Sequence, residues 1–412
     1  MGVGCSTSDM GGLMHILYTG PISLDILTMA LPFGEVLCDK VFRFDLGAHE
    51  VLGFHNAGHR VTVLKLTDLV SEPRVLTCGR FEIRLFPDRP VGEQYRHFYH
   101  REVKVLSQAI KEAKPDVVFA NWPYQFARAA IVSGYPTLVV AHDSPWRILW
   151  AMRDKARLLR TLYSQFLVFP KVKYLSAVSP YIVDDVRKLN FYRRKVRCIP
   201  NAICDMSAVV RAEDVTVRKD AKVIVSVSEW NPRKNPKMLL FAWRILKKRH
   251  KDWKLIIFGR GMGWNDAAGD FVRDEGIVED GLDLRGYCSR DDIDECLAKD
   301  ADLFVSTTLE ESFGLIFIEA MAKGVPCVGG EKSGAVPWVL GTGEEDVAGE
   351  ICDVKDAGAT AECIERLMLD RERREVLSVN AIHRVKTKFG LDACVEKYLD
   401  ALQCVANGGK GW

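Results

Sequence analysis

Short, unbroken runs of apolar residues recur along this 412-residue chain, with longer amphipathic stretches between them. A strand covered on both faces of a parallel sheet reads as such a run, and a helix crossing over between parallel strands reads as such a stretch. The first series is HILYTG (15–20), RVTVLKL (60–66), FEIRLFP (81–87), DVVFANW (116–122), TLVVAHD (137–143), YLSAVS (174–179) and VRCIPN (196–201), with helical patterns at 94–113 and 180–189. Residues 202–221 are polar and charged and interrupt the pattern. A second series follows: KVIVSVS (222–228), WKLIIFG (253–259), LDLRGY (282–287), ADLFVSTT (301–308) and VPCVGG (325–330), with helical patterns at 235–250, 289–299 and 314–324. The tail from 359 to 404 reads as helical throughout, and 21–47 has no clear period.

The pattern predicts an α/β fold of two Rossmann-like, doubly wound domains, 14–202 and 203–390, facing each other across a cleft. Two domains also suit the length. The helical end, 391–405, is a candidate to pack back on the first domain. Residues 1–13 read as a flexible leader, because MHILYTG from Met14 looks like a first strand; MGVGCS also fits the loose N-myristoylation pattern through Gly2 and Ser6.

Charge excludes one class of function. With 57 basic against 55 acidic residues, the net charge of +2 lacks the basic excess of a dedicated nucleic-acid binder. The twelve cysteines form no C-x-x-C pair and no zinc spacing. They are expected to be reduced and mostly buried, in a cytoplasmic protein. No run is long enough to cross a membrane, and no apolar segment follows a basic start as in a signal peptide.

In an open parallel sheet, ligands sit beyond the carboxyl ends of the strands. The most informative segment lies at such a place. Directly after ADLFVSTT comes Glu311-Ser-Phe-Gly-Leu-Ile-Phe-Ile-Glu319, then Ala-Met-Ala-Lys-Gly-Val-Pro. Gly314 permits close approach of the backbone to a ligand, and the helix opening near Leu315 aims free N–H groups at the cleft, where they attract phosphate. Glu311 can accept hydrogen bonds from sugar hydroxyls, and Glu319 can hold a ribose diol. The bland reading is an acidic helix start with a solvated second Glu. His142 ends TLVVAHD, where a capping or packed histidine is the alternative to a functional one.

Other motifs are excluded on spacing. Gly259-Arg260-Gly261-Met262-Gly263 is not a dinucleotide fingerprint, and there is no P-loop. Asp292-Ile-Asp294 reads as a solvated helix face, so no metal or other cofactor is expected.

The segment 311–319 resembles the E-x7-E signature of family 4 glycosyltransferases with the GT-B fold. Gly58-His59-Arg60-Val61, Val178-Ser179-Pro180-Tyr181, Ile199-Pro200-Asn201-Ala202, Gly286-Tyr287, Ala301-Asp302 and Gly324-Val325-Pro326 are similar to further landmarks of that family, in the right order over residues 14–405. The resemblance implies a retaining glycosyltransferase that takes a sugar from a nucleoside-diphosphate sugar to a carbohydrate or lipid-linked acceptor. It implies that Glu311 meets the donor sugar and Glu319 the ribose. Ser312 and the backbone amides of Phe313, Gly314 and Leu315 would meet the diphosphate or sugar. Lys234 would neutralise the diphosphate, and His142 would lie near the anomeric carbon. Gly286 and Tyr287 would lie beside the base, and Gly20 would stand where the family has a glycine-rich loop.

One departure stands out. The family places an arginine five or six residues before that lysine, and here the positions hold Glu229 and Ser228. Arg233 is a candidate to replace the missing charge, since a guanidinium can grip phosphate with two hydrogen bonds. Two alternatives stay open: a sugar-nucleotide epimerase on the same architecture, and a non-catalytic binder of nucleotide sugars. The basic, aromatic stretch Trp146–Arg160 (WRILWAMRDKARLLR) reads either as a peripheral membrane or lipid-acceptor surface, or as an ordinary helix whose Trp and Leu face the core; the second is preferred.

Overall fold

The computed structural model describes residues 12–39, 43–152, 154–211, 213, 217 and 220–412; Gly2, Ser6 and most of the leader lie outside them. Seven of the first-half runs form strands of one eight-stranded sheet: β1 (His15–Thr19), β2 (Arg60–Thr67), β4 (Phe81–Pro87), β5 (Val117–Asn121), β6 (Thr137–Ala141), β7 (Tyr174–Ala177) and β8 (Val196–Cys198). The eighth, β3 (Arg74–Cys78), runs antiparallel to β4 at the sheet edge, while the remaining pairings are parallel. Its alternating, largely exposed side chains give no continuous apolar run, so the sequence pattern does not mark it.

The second series forms a parallel six-stranded sheet in the order β11-β10-β9-β12-β13-β14, comprising β9 (Val223–Val227), β10 (Lys254–Phe258), β11 (Leu282–Gly286), β12 (Leu303–Val305), β13 (Cys327–Gly330) and β14 (Gly349–Cys352). In both sheets the chain starts in the middle, winds to one edge and then returns to build the other half. The order reverses between β1 and β5 in the first sheet and between β9 and β12 in the second. A crevice opens at the carboxyl ends of strands at such a reversal.

The helical tail consists of three helices, Ala357–Leu369, Arg371–Lys388 and Leu391–Ala406. Asp370 ends the first and caps the second by accepting from the Arg373 amide at 2.9 Å. At Phe389 the chain crosses between the sheets, where its carbonyl takes the Ile203 amide at 2.8 Å. The last helix packs on helix Asp45–Asn56 and on β5 and β6, with Tyr398 edge-on to Phe119 at 4.9 Å. Among the described residues, the aperiodic 21–47 holds a short helix, Leu24–Ala30, and the start of Asp45–Asn56. Among the described residues, no helix is long and apolar enough to cross a membrane. Of the described cysteines five are buried and two, Cys38 and Cys198, are exposed.

Candidate active site in the cleft

A cavity of about 630 Å³ lies between the two sheets. The second sheet contributes the exits of β9, β10 and β12, and the first contributes Trp122, His142 and Asp143 after β5 and β6. The β9 and β10 exits are locked side by side. Gly259 has φ +126°, and a Cβ there would fall 1.7 Å from the Ser228 carbonyl oxygen, so only glycine allows the approach.

The charged centre of the cleft is built on two loops. After β9, Lys234 donates through Nζ to Glu311 Oε2 at 2.7 Å, and Arg233 Nη1 stands 3.7 Å from the same oxygen. The Arg233 guanidinium is anchored by donating to the Glu310 carbonyl at 3.0 Å. Burial pushes the Glu311 carboxyl up, but Lys234 and Arg233 outweigh it and hold the group below its ordinary value. Its neighbour Glu310 goes the other way. Burial and then the Glu311 charge push it up to about 7. Arg233 Nη1 stands about as close to Glu310, 3.8 Å, so the two adjacent carboxyls shift in opposite directions because only Glu311 is also paired with Lys234.

Four residues after Glu311 the helix Leu315–Ala322 begins. Its N-cap is Gly314, at φ +99°, which brings no capping side chain and leaves the first-turn amides to whatever enters the cleft. The preceding turn is tied to the first domain, because Ser179 Oγ donates to the Ser312 carbonyl at 2.6 Å. Phe313 is buried between Trp338 and Phe389. One turn into the helix, the partly buried Glu319 is paired with Arg290, the first residue of helix Arg290–Lys299. Burial still leaves the Glu319 carboxyl above its ordinary value.

His142 closes the site from the first domain. Its ring lies between Trp122, 4.5 Å away, and Phe44, 5.0 Å away, and burial pushes its pKa down to about 3. It is therefore a neutral imidazole near pH 7, and its tautomer follows from its neighbours. The Pro21 carbonyl can only accept, so the Tyr18 hydroxyl donates to it, at 2.5 Å. The Tyr18 oxygen then accepts from Asn121 Nδ2 at 3.0 Å, which turns Asn121 Oδ1 toward His142 Nε2, 3.2 Å away. Nε2 carries the proton, and Nδ1 is left as an acceptor.

Glu311, His142, Lys234, Arg233, Glu319, Ser312, Phe313, Gly314, Leu315 and Tyr287 line this one cavity, whereas Gly20 and Gly286 do not. Gly20 packs under the cleft floor instead: a Cβ there would meet Asn121 Cβ at 2.8 Å and the Tyr18 hydroxyl at 3.1 Å. Gly286 lies beneath Tyr287, with its carbonyl taking the Gly259 amide at 2.7 Å. Glu229 lines the cleft too, but its carboxylate is held by Asn231 Nδ2 at 3.1 Å. Sequence reasoning gave no site role to three lining cations, Arg157, Arg260 and Arg290, although Arg157 lies in the basic stretch 146–160 and Arg260 in the glycine turn after β10.

Two facing Rossmann-like domains with a shared cleft constitute the GT-B fold. The same fold occurs in sucrose-phosphate synthase from Thermosynechococcus elongatus (TM-score 0.69, 16% identity, 93% of this chain and 96% of that one). It also occurs in HepE of Anabaena, solved in complex with UDP and glucose (TM-score 0.63, 17% identity, 94% and 99%). The model of "Glycosyltransferase Family 4" matches residues 49–205, and that of "Glycosyl transferases group 1" matches residues 211–384. The chain belongs to the family 4 glycosyltransferases of GT-B fold. A curated relative is N-acetyl-alpha-D-glucosaminyl L-malate synthase of Bacillus anthracis, 25% identical over 229 residues, which are 54% of this chain and 58% of that protein. The matched stretches span 36–58% of the first curated relatives' own lengths.

Proposed function

We propose that this protein is a retaining glycosyltransferase that moves a sugar from a nucleoside-diphosphate sugar to a carbohydrate or lipid-linked acceptor. The observation that carries the reading is the pairing of Lys234 with Glu311 at 2.7 Å beside the uncapped helix start at Gly314, with neutral His142 lining the same cleft from the other domain.

When the donor's glycosidic bond breaks, negative charge grows on the β-phosphate and positive charge on the anomeric carbon. Lys234, with Arg233 behind it, and the amides of Leu315 and Ile316 supply fixed positive potential for that phosphate. Glu311, kept ionised by the same cations, accepts hydrogen bonds from sugar hydroxyls, and Glu319 takes the ribose diol. His142 accepts a hydrogen bond from a hydroxyl through Nδ1 and stays neutral. The departing phosphate takes the acceptor's proton on the face it leaves, which retains configuration and needs no protein nucleophile. The chemistry asks for no metal, because the cations are side chains. The HepE neighbour, described with UDP and glucose, supports a uridine donor as the first to try. Free thiols suit a cytosolic setting.

The test has two stages. A thermal-shift screen of UDP, GDP, ADP and their sugars should find one nucleotide that raises the unfolding temperature. With the matching sugar donor, wild-type protein should release nucleoside diphosphate and form a glycoside, and Glu311→Ala should lose transfer while staying folded. A stabilising donor that is returned isomerised would replace this reading with the epimerase, and near-normal transfer by Glu311→Ala would remove Glu311 from the mechanism.

A further inference from the structure

The landmark Val178-Ser179-Pro180-Tyr181 does not line the cleft cavity, yet it touches the Glu311 turn from the other domain. Ser179 is fully buried and uses its hydroxyl twice. It accepts from the Ile182 amide at 3.3 Å, which caps helix Pro180–Lys188, and it donates to the Ser312 carbonyl at 2.6 Å. A hydroxyl has one proton, so its single donated bond is committed to Ser312. Two residues on, Tyr181 packs behind Glu311. Gly334, at φ +65°, is squeezed between them: a Cβ there would fall 2.4 Å from the Glu311 carbonyl oxygen and 2.9 Å from the Tyr181 ring. The next amide, that of Ala335, donates to the same carbonyl at 2.8 Å.

Helix Pro145–Met152 braces this segment from outside. Its Arg147 donates to Asp185 through Nε and Nη2, each at 3.1 Å, and lies over the Tyr181 ring at 5.7 Å. The Trp and Leu residues of 146–160 therefore do not face the core, contrary to expectation. Helix Pro145–Met152 buries only Pro145, helix Lys155–Tyr163 buries only Thr161 and Tyr163, and Trp150 is 51% exposed. The inner side of the two helices is the cleft wall, through Ile148, Met152 and Arg157. In a planar trans peptide the C=O and the N–H point to opposite sides. Holding the Ser312 carbonyl toward Ser179 thus turns the Phe313 N–H away from Ser179. Among the described residues that N–H has no hydrogen-bond acceptor, and Ser312, Phe313 and Gly314 all line the cavity. The reversed peptide would instead set a carbonyl dipole against an incoming anion.

We propose that Ser179 is a positioning residue: from the first domain it fixes the Ser312–Phe313 peptide so that the Phe313 amide serves the departing diphosphate, and the donor site of the second domain is complete only with the two domains docked. This deepens the glycosyltransferase reading and rests on it for the identity of the anion. The ordering of the turn by Ser179 is a property of the free chain and is measured without donor or turnover.

The experiment compares Ser179→Ala, which loses both bonds, with Asp370→Ala, which loses only the cap of helix Arg371–Lys388, a helix that lines no part of the cleft. Both variants should unfold slightly below the wild type, because each gives up a helix cap. Hydrogen exchange of the full chain over residues 311–317, where the Phe317 amide donates to the Gly314 carbonyl at 3.0 Å, should quicken in Ser179→Ala and stay unchanged in Asp370→Ala. With the nucleotide sugar found in the screen, Ser179→Ala should lower kcat and kcat/KM together, roughly tenfold or more, and leave the donor KM within about twofold, since the amide acts most as charge grows on the phosphate. Asp370→Ala should keep the wild-type kcat. Unchanged exchange over 311–317 in Ser179→Ala overturns the proposal, as does an unchanged kcat, or an equal loss of kcat in both variants. A turn that loosens in Ser179→Ala, in a protein that transfers no sugar from any nucleotide sugar, would instead count against the glycosyltransferase reading.

Discussion

Lys234 and Glu311 hold each other in the free cleft, so a diphosphate must take over one half of an existing ion pair. Lys234→Ala removes the nearer cation and leaves the Glu311 carboxylate with Arg233 alone, 3.7 Å away. A hydrogen bond to a charged group contributes about 2 kcal/mol, so nucleoside diphosphate affinity should fall roughly thirtyfold, read by calorimetric titration. A different defect is expected at Glu319. Its carboxyl already lies above its ordinary value through burial, with Asp294 and Asp45 pushing the same way, Arg290 opposing them, and the Cys204 thiol also facing it. Arg290→Gln should raise it further. The ribose diol needs an ionised acceptor, so the variant's nucleotide affinity should decline as pH falls, from a higher pH than in the wild type. Superimposable pH profiles would show that Arg290 does not act through Glu319. Glu311, Glu319 and Lys234 were legible because each sits at a fixed distance from a strand exit. Arg290 was not, since its partner is set by two helices meeting, and a pairing between elements leaves no local trace.

At the scale of elements, the helix start depends on a backbone conformation that only glycine adopts cheaply. Gly314→Ala places a Cβ 2.9 Å from the Phe317 ring and 3.3 Å from Glu311 Cγ, at φ +99°. Gly343→Ala imposes similar backbone strain, at φ +82°, with nothing within 4 Å of the new methyl. Each should cost about 1–2 kcal/mol of stability, seen as a modest drop in Tm, but only Gly314→Ala should also abolish transfer, because it displaces Glu311 and the amides beside it. If both lose activity equally, the opening of this helix is not special. The core strands were readable for the opposite reason: burial on both faces imposes an unbroken apolar run, as in Val117–Asn121. β3, with Arg74 and Val75 in solvent, and the four-residue β14 escape that rule. The breaks at Asp370 and Phe389 escape it too. The first is a capping choice and the second a crossing between sheets, and neither interrupts the helical period enough to be seen.

For the molecule as a whole, the last helix locks the first domain through a carboxyl that has no counter-charge. Glu50, on helix Asp45–Asn56, is fully buried between the first sheet and the C-terminal helix, where the Asn121 side chain favours its charged form without outweighing burial. Around it lie Tyr18, Asn121, Cys204, Cys394 and Tyr398, none of them a cation. Burial pushes its pKa up to about 8. The folded chain thus holds a proton here that the unfolded chain releases near the ordinary value, 4.5. Between those values the native state binds more protons than the unfolded state, so stability falls as pH rises, by up to several kcal/mol at the upper end. Glu310, raised to about 7 between the domains, adds a smaller loss of the same sign. Glu50→Gln keeps the shape and removes the titration. Its thermal midpoint should exceed the wild type's at about pH 8 and approach it at about pH 5, whereas Glu310→Gln should flatten the profile less. A Glu50→Gln midpoint that declines with pH as steeply as the wild type's would mean that the C-terminal helix rests on a carboxylate already ionised, and the account of this core would have to supply the missing cation.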